Sequence, residues 1–170
     1  MHKKRIAALT LAAIIFNFSS NTVGVLAHEV EQIKPKQGIS SKKDVQSNQA
    51  KVSKFDLRFL QPNVEAFGTA AIHGLEHLLA TYLREELDGI IDLSPMGCRT
   101  GFYLIMWGDI EPSYVKLGLE KALQKVIDSK EMIAASEVEC GNYRDLSLFG
   151  AKEYAKKALK EGFSLNIYGK

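Results

Sequence analysis

The sequence predicts an α+β domain in which a small antiparallel or mixed sheet is covered by helices. Short runs of aromatic and β-branched residues, Phe55–Phe59, Gly89–Leu93 and Thr100–Trp107, are bounded by turn-forming residues, as strands are. Longer stretches between and after them repeat apolar residues every three or four positions, which draws one stripe along a helix. Helices of this length next to few strands cover one face of a sheet. The 170 residues carry a net charge of only +2 and enough apolar content for one core. Lysines are scattered without interleaved aromatics, so the pattern argues against nucleic-acid binding. The chain shows no repeats, P-loop or dinucleotide-binding glycine pattern.

Taken in order, residues 1–27 read as a secretory signal peptide. His2-Lys3-Lys4-Arg5 precedes the apolar run Ile6–Phe16, and Val25 and Ala27 suit cleavage before His28. The run is too short for a comfortable membrane span. Residues 28–53 are glutamine-, serine- and lysine-rich with few aliphatics, which predicts a flexible linker into a domain over 54–170. Phe55–Phe59 is the first strand of that domain. Val64–Leu87 contains Ala70, Ala71, Leu75, Leu78, Leu79, Ala80 and Leu83 at helical spacing without proline. Strands follow at Gly89–Leu93 and Thr100–Trp107, across a tight turn. Pro112 opens a helix through Val115, Leu119, Ala122, Leu123 and Val126. A last helix runs near Leu148–Glu161, and Ser164–Ile167 reads as a short strand. Phe67, Phe102, Tyr103 and Trp107 are expected in the core.

The chemistry concentrates in His73-Gly74-Leu75-Glu76-His77. Residues four apart share a helix face, so two imidazoles can aim at one cation with a carboxylate beside them. This HxxEH order also occurs in inverzincin metallohydrolases. A catalytic site of this kind takes three protein ligands and keeps one position open. The two cysteines are Cys98, in the turn Ser94–Gly101, and Cys140, in Val138-Glu139-Cys140-Gly141-Asn142, from which a thiolate could reach a helix. Arg99 beside Cys98 would favour its thiolate form. A Cys98–Cys140 disulfide is the alternative use of the pair in an oxidising compartment.

These residues fall in longer blocks: Lys54-Phe55-Asp56-Leu57-Arg58-Phe59, Gln61-Pro62-Asn63, His73 to Ala80, Ile91 to Tyr103, and Glu139-Cys140-Gly141. In them the chain resembles the S-ribosylhomocysteine lyase (LuxS) family, from Lys54 to about Asn166. The resemblance implies a LuxS/MPP-like metallohydrolase type of fold. It also implies a lyase that splits S-ribosylhomocysteine into homocysteine and 4,5-dihydroxy-2,3-pentanedione, the precursor of the quorum-sensing signal autoinducer-2. By matching motif, His73, His77 and Cys140 would bind one divalent metal, Fe(II) foremost and zinc as the other choice. Cys98 and Glu76 would be the acid and base, and Arg58 and Asp92 would lie around the substrate. Two imidazoles with a thiolate suit such ions and disfavour magnesium or calcium.

The family further implies a homodimer with active sites at its interface, and a cytoplasmic location, against which the signal peptide argues for export. Its N-terminal Leu-Asp-His strand and Ala-Pro-Tyr-Val-Arg stretch, which supply a serine and a histidine to the substrate pocket, find no match upstream of Lys54. His28 stands in unlike surroundings. Two other readings stay open: a secreted, catalytically degenerate relative that keeps fold and metal, and a peptidase sharing only HxxEH. A glutamate ligand downstream would mark the peptidase, whereas Cys98 and Cys140 in their settings mark the lyase.

Overall fold

The computed structural model describes the backbone of residues 23–29 and the whole of residues 51–165. Eight elements follow in order: β1 (Val23–Glu29), β2 (Val52–Arg58), α1 (Thr69–Glu86), β3 (Ile90–Pro95), β4 (Gly101–Trp107), α2 (Pro112–Asp128), α3 (Leu148–Glu161) and β5 (Phe163–Ser164). They build one mixed sheet of order β3-β4-β2-β1-β5, antiparallel except where β5 runs parallel to β1. The α+β class and the helix-covered sheet agree with the sequence analysis.

The alternation of β4 shows which face is covered. Phe102, Leu104 and Met106 are fully buried, while Tyr103 and Ile105 are half-buried and Trp107 is 57% exposed. Side chains along a strand point to opposite faces in turn, so the first set faces the helices and the second faces away. Phe55 and Leu57 of β2 join the covered layer. α1 meets it with Leu75, Leu78, Leu79 and Leu83, and α2 with Val115, Leu119, Leu123 and Val126. α3 contributes only Ala151, Ala155 and Ala158 as buried residues, a thin stripe that lets it sit close against its neighbours. Phe67 closes one end of the core, its ring 4.4 Å from that of Tyr154 and 6.1 Å from that of Phe102. Trp107 departs from the expected core position because β4 parity turns it to the open face.

Several boundaries differ from the expected ones. α1 begins at Thr69, not near Val64, because Asn63 adopts a left-handed φ of 64° and the Val64 amide bonds back to Gln61 in a turn. β2 starts at Val52, inside the segment expected to be linker, and ends at Arg58. Phe59 leaves it to donate to the Thr100 carbonyl at 3.0 Å. β3 cannot start at Gly89, whose φ is +78°, and it extends to Pro95, which pairs with Phe102. β5 is Phe163–Ser164, and the rest of the expected Ser164–Ile167 strand lies outside the described residues beyond Leu165. β1 crosses the junction between Ala27 and His28, where sequence analysis placed the end of a signal peptide and the start of a linker. It pairs with β2 from Gly24 opposite Arg58 to Glu29 opposite Ser53. The apolar segment 1–22 lies outside the described residues. Among the described residues, no helix is long and apolar enough to cross a membrane.

Candidate metal centre and reactive thiol

α1 presents His73, Glu76 and His77 from one flank while its leucines face the core, as a 3.6-residue period dictates. The rings of His73 and His77 stand 4.8 Å apart at 75°. The long connection from α2 to α3 folds over them and delivers Cys140, whose Sγ lies 3.4 Å from His73 Nε2. One ligand atom from each of the three lies within 4.8 Å of the others. Ligand atoms around one tetrahedral ion at usual zinc distances sit about 3.3–3.8 Å apart, so small closing movements complete the set.

The same connection orients the imidazoles. His73 Nδ1 lies 2.8 Å from the Asp145 carbonyl and His77 Nδ1 lies 3.0 Å from the Ile133 carbonyl. A carbonyl only accepts, so each Nδ1 donates to its carbonyl, which leaves Nε2 as the ring atom that can take a metal. Gly74 makes this close approach possible. A Cβ there would stand 2.9 Å from the Ser147 carbonyl oxygen, and Ser147 donates its amide to the Ala70 carbonyl at 2.8 Å. The donor set, two imidazoles and a thiolate with partner carbonyls behind the rings, fits a single metal ion.

A second group surrounds Cys98. The turn from Met96 to Gly101 is closed by the Arg99 amide on the Met96 carbonyl, with Arg99 at φ +55°. Thr100 Oγ1 lies 3.0 Å from Cys98 Sγ and accepts from Arg58 Nη1 at 2.5 Å. Arg58 is pinned by Asp56, with Nε 3.1 Å from Oδ1 and Nη2 2.5 Å from Oδ2. Burial acts against the charge on Arg58, but the hydrogen bonds and charge of Asp56 prevail and raise its pKa. Partial burial likewise acts against a Cys98 thiolate. The Thr100 hydroxyl and amide, with the Arg58 charge, outweigh it and hold the thiol below its usual range. Cys98 opens onto a cavity of about 350 Å³ lined also by Pro62, Asn63, Val64 and Glu65.

The cation beside Cys98 is therefore Arg58, not the expected Arg99, whose Nη1 bonds the Phe67 carbonyl at 3.0 Å. Both cysteines are free thiols, Cys140 among the imidazoles and Cys98 on its own turn. Asp92 lies on the open face of β3. A bulge between Ile90 and Asp92 sets it opposite Ile105, where regular register would have put it opposite the buried Leu104. Among the described residues, neither Glu76 nor Asp92 hydrogen-bonds to either group.

Sequence reasoning missed Asp56, Thr100 and Gly74. Asp56 and Arg58 stand two apart on one strand face, and Cys98 and Thr100 two apart across a tight turn, so both pairs were open to local geometry. Gly74 gave no local signal, because its partner Ser147 is remote in sequence.

An α+β domain whose helix supplies two imidazoles and whose loop supplies a cysteine sulfur defines a protein with a site that fits a single metal ion and a separate cysteine beside a buried threonine. The chain belongs to the S-ribosylhomocysteinase (LuxS) family, whose model matches residues 26–168. Among its relatives is the S-ribosylhomocysteine lyase of Clostridioides difficile (strain 630), 77% identical over 119 residues, or 70% of this chain and 79% of that one. The lyase of Enterococcus faecalis (strain ATCC 700802 / V583) is 57% identical over 123 residues, 72% of this chain and 81% of its own. That of Lactococcus lactis subsp. cremoris (strain MG1363) is 44% identical over 121 residues, covering 69% and 77%. The family match takes in Leu26-Ala27-His28, which β1 holds as strand beside β2, so the family's likeness extends upstream of Lys54.

Proposed function

We infer that this chain is an S-ribosylhomocysteine lyase, a carbon–sulfur lyase that releases homocysteine and 4,5-dihydroxy-2,3-pentanedione. The observation that carries the reading is the joint presence, in a chain of this family, of the His73–His77–Cys140 donor set and an activated Cys98. Iron(II) or zinc is the ion such donors suit. When bound, the ion would act as a Lewis acid on the carbonyl of the open-chain ribose and so acidify the neighbouring C–H.

The chain's own residues then handle the protons. Cys98, as thiolate, takes the proton beside the C1 carbonyl, and its return to the adjoining carbon moves the carbonyl one position along. Repetition brings the carbonyl to C3. Loss of the C4 proton then expels the C5 sulfur as homocysteine by β-elimination, without any net redox change. Glu76, on the turn of α1 that bears both histidines, returns protons to oxygen and serves the final abstraction. Arg58 and Asp92 hold the substrate. A homodimer completes the site, as the resemblance implies. Export is proposed from the basic, apolar and small-residue order of the amino terminus.

The test is homocysteine release from S-ribosylhomocysteine by the full chain, reduced and loaded anaerobically with iron(II) or cobalt, beside Cys98→Ala. Release that depends on Cys98 is expected. A folded, metal-loaded protein that releases none would refute the lyase reading in favour of a degenerate metal-binding relative. Sedimentation analysis tests the dimer, and fractionation of expressing cells tests export.

A further inference from the structure

Arg58 does not reach the Cys98 sulfur closely. Its Nη1 lies 3.9 Å from Sγ but 2.5 Å from Thr100 Oγ1, and that oxygen lies 3.0 Å from Sγ. The guanidinium has donors only, so Thr100 accepts from it and keeps its single hydroxyl proton for another partner. When the sulfur is a thiol, either atom can donate across the 3.0 Å contact. When it is a thiolate, only Thr100 can. A hydroxyl that already accepts from a cation is a better donor, so the arrangement favours the ionised sulfur.

The hydroxyl is held where this requires. Thr100 is buried, and its carbonyl accepts both the Phe59 and Leu60 amides at 3.0 Å, tying the residue to the exit of β2. Arg58 in turn is fixed by the two bonds it donates to the buried Asp56. Other charged groups near the sulfur are engaged elsewhere. Glu65, across the cavity, pairs with Lys157 at 2.5 Å, and Arg99 bonds the Phe67 carbonyl. Tyr103, on β4, lies beneath the Lys54 ammonium.

We propose that Thr100 is a positioning residue that donates its hydroxyl proton to the Cys98 thiolate and relays the Asp56–Arg58 pair to that sulfur. Its catalytic consequence rests on Cys98 being the base of the lyase reaction, whereas the hold on the sulfur does not.

The test is the pH midpoint of Cys98 alkylation by iodoacetamide in the full-length cobalt-loaded protein, with the modified residue located by peptide mass spectrometry. Thr100→Val removes the hydroxyl at nearly constant shape, and Thr100→Ser keeps it. Thr100→Val is expected to raise the midpoint and slow alkylation near neutral pH by about tenfold or more. Thr100→Ser should titrate like the native chain, and the cobalt absorption should be unchanged in both. Thr100→Ala provides a second chain without the hydroxyl, should the valine variant misfold. A folded hydroxyl-free variant with the native midpoint overturns the proposal, even if its lyase activity falls. A raised midpoint in chains that never release homocysteine upholds the relay and refutes the lyase reading instead.

Discussion

Replacing Gly74 by alanine sets two effects of opposite sign against each other. Helix propensity alone favours alanine over an interior glycine by about 1 kcal/mol. The fold opposes it, because the new Cβ would lie 2.9 Å from the Ser147 oxygen and 3.2 Å from its carbon and nitrogen. These are backbone atoms that cannot swing aside. Ser147 is tied by its amide to Ala70, and its hydroxyl caps α3 by accepting from Gly150 at 3.0 Å. Overpacking of this kind costs about 1–3 kcal/mol, so the net change is a loss of up to about 2 kcal/mol. For a domain of this size that lowers the melting temperature by roughly 4 °C per kcal/mol. The displaced backbone also carries Asp145, whose carbonyl orients His73. Metal affinity should therefore fall by about tenfold to a hundredfold. The assays are thermal unfolding of the metal-free protein and cobalt titration followed by absorbance. A variant that melts higher and binds cobalt with native affinity would show that helix propensity governs the position and that the Ser147 contact imposes nothing.

His77→Ala should abolish the cobalt absorption bands, since it removes one of three donors. Retained bands of native intensity would assign the metal elsewhere. Cys98→Ala should keep those bands and lose lyase turnover by about a hundredfold or more, as expected for an acid–base group. Full activity there would remove Cys98 from the reaction. Arg58→Met should raise the pH at which Cys98 becomes reactive. The native thiol is held low, so its reactivity persists as pH falls through the usual thiol range, and without the cation that advantage is lost. Equal midpoints in the two proteins would contradict the cause given for the shift. Phe67→Ala, which empties a fully enclosed ring site, should cost about 3–5 kcal/mol in urea unfolding; a loss under about 1 kcal/mol would mean the core end collapses freely.

The helices and central strands were legible because their apolar periods are long and clean. Leu75, Leu78, Leu79 and Leu83, or Phe102, Leu104 and Met106, can face only one way. Boundaries failed where the backbone enters the left-handed region, at Asn63 and Gly89, since hydropathy carries no record of φ. The clustering of His73, His77 and Cys140 was readable from residue type and motif. The partner of Cys98 was not: Arg99 is adjacent in sequence, but the turn reverses its direction and the β2–β4 register brings Arg58 opposite Gly101 instead. β1 was missed because Val25 and Ala27 also fit the end of a signal peptide, although Val23, Val25 and Leu26 have the β-branched and aliphatic character of a strand.

That strand also gives the amino terminus two incompatible uses. A peptidase cutting between Ala27 and His28 would take away Val23 and Gly24, the residues that pair with β5, and most of those opposite β2. The processed molecule would carry β2 as a bare sheet margin, its amides and carbonyls turned toward solvent and open to a strand from another chain. In the unprocessed molecule β1 covers that edge of β2 from Gly24 to Glu29. Were the chain exported and cut there, processing and sheet closure would compete for one stretch of chain, and their order would decide whether β2 keeps its cover.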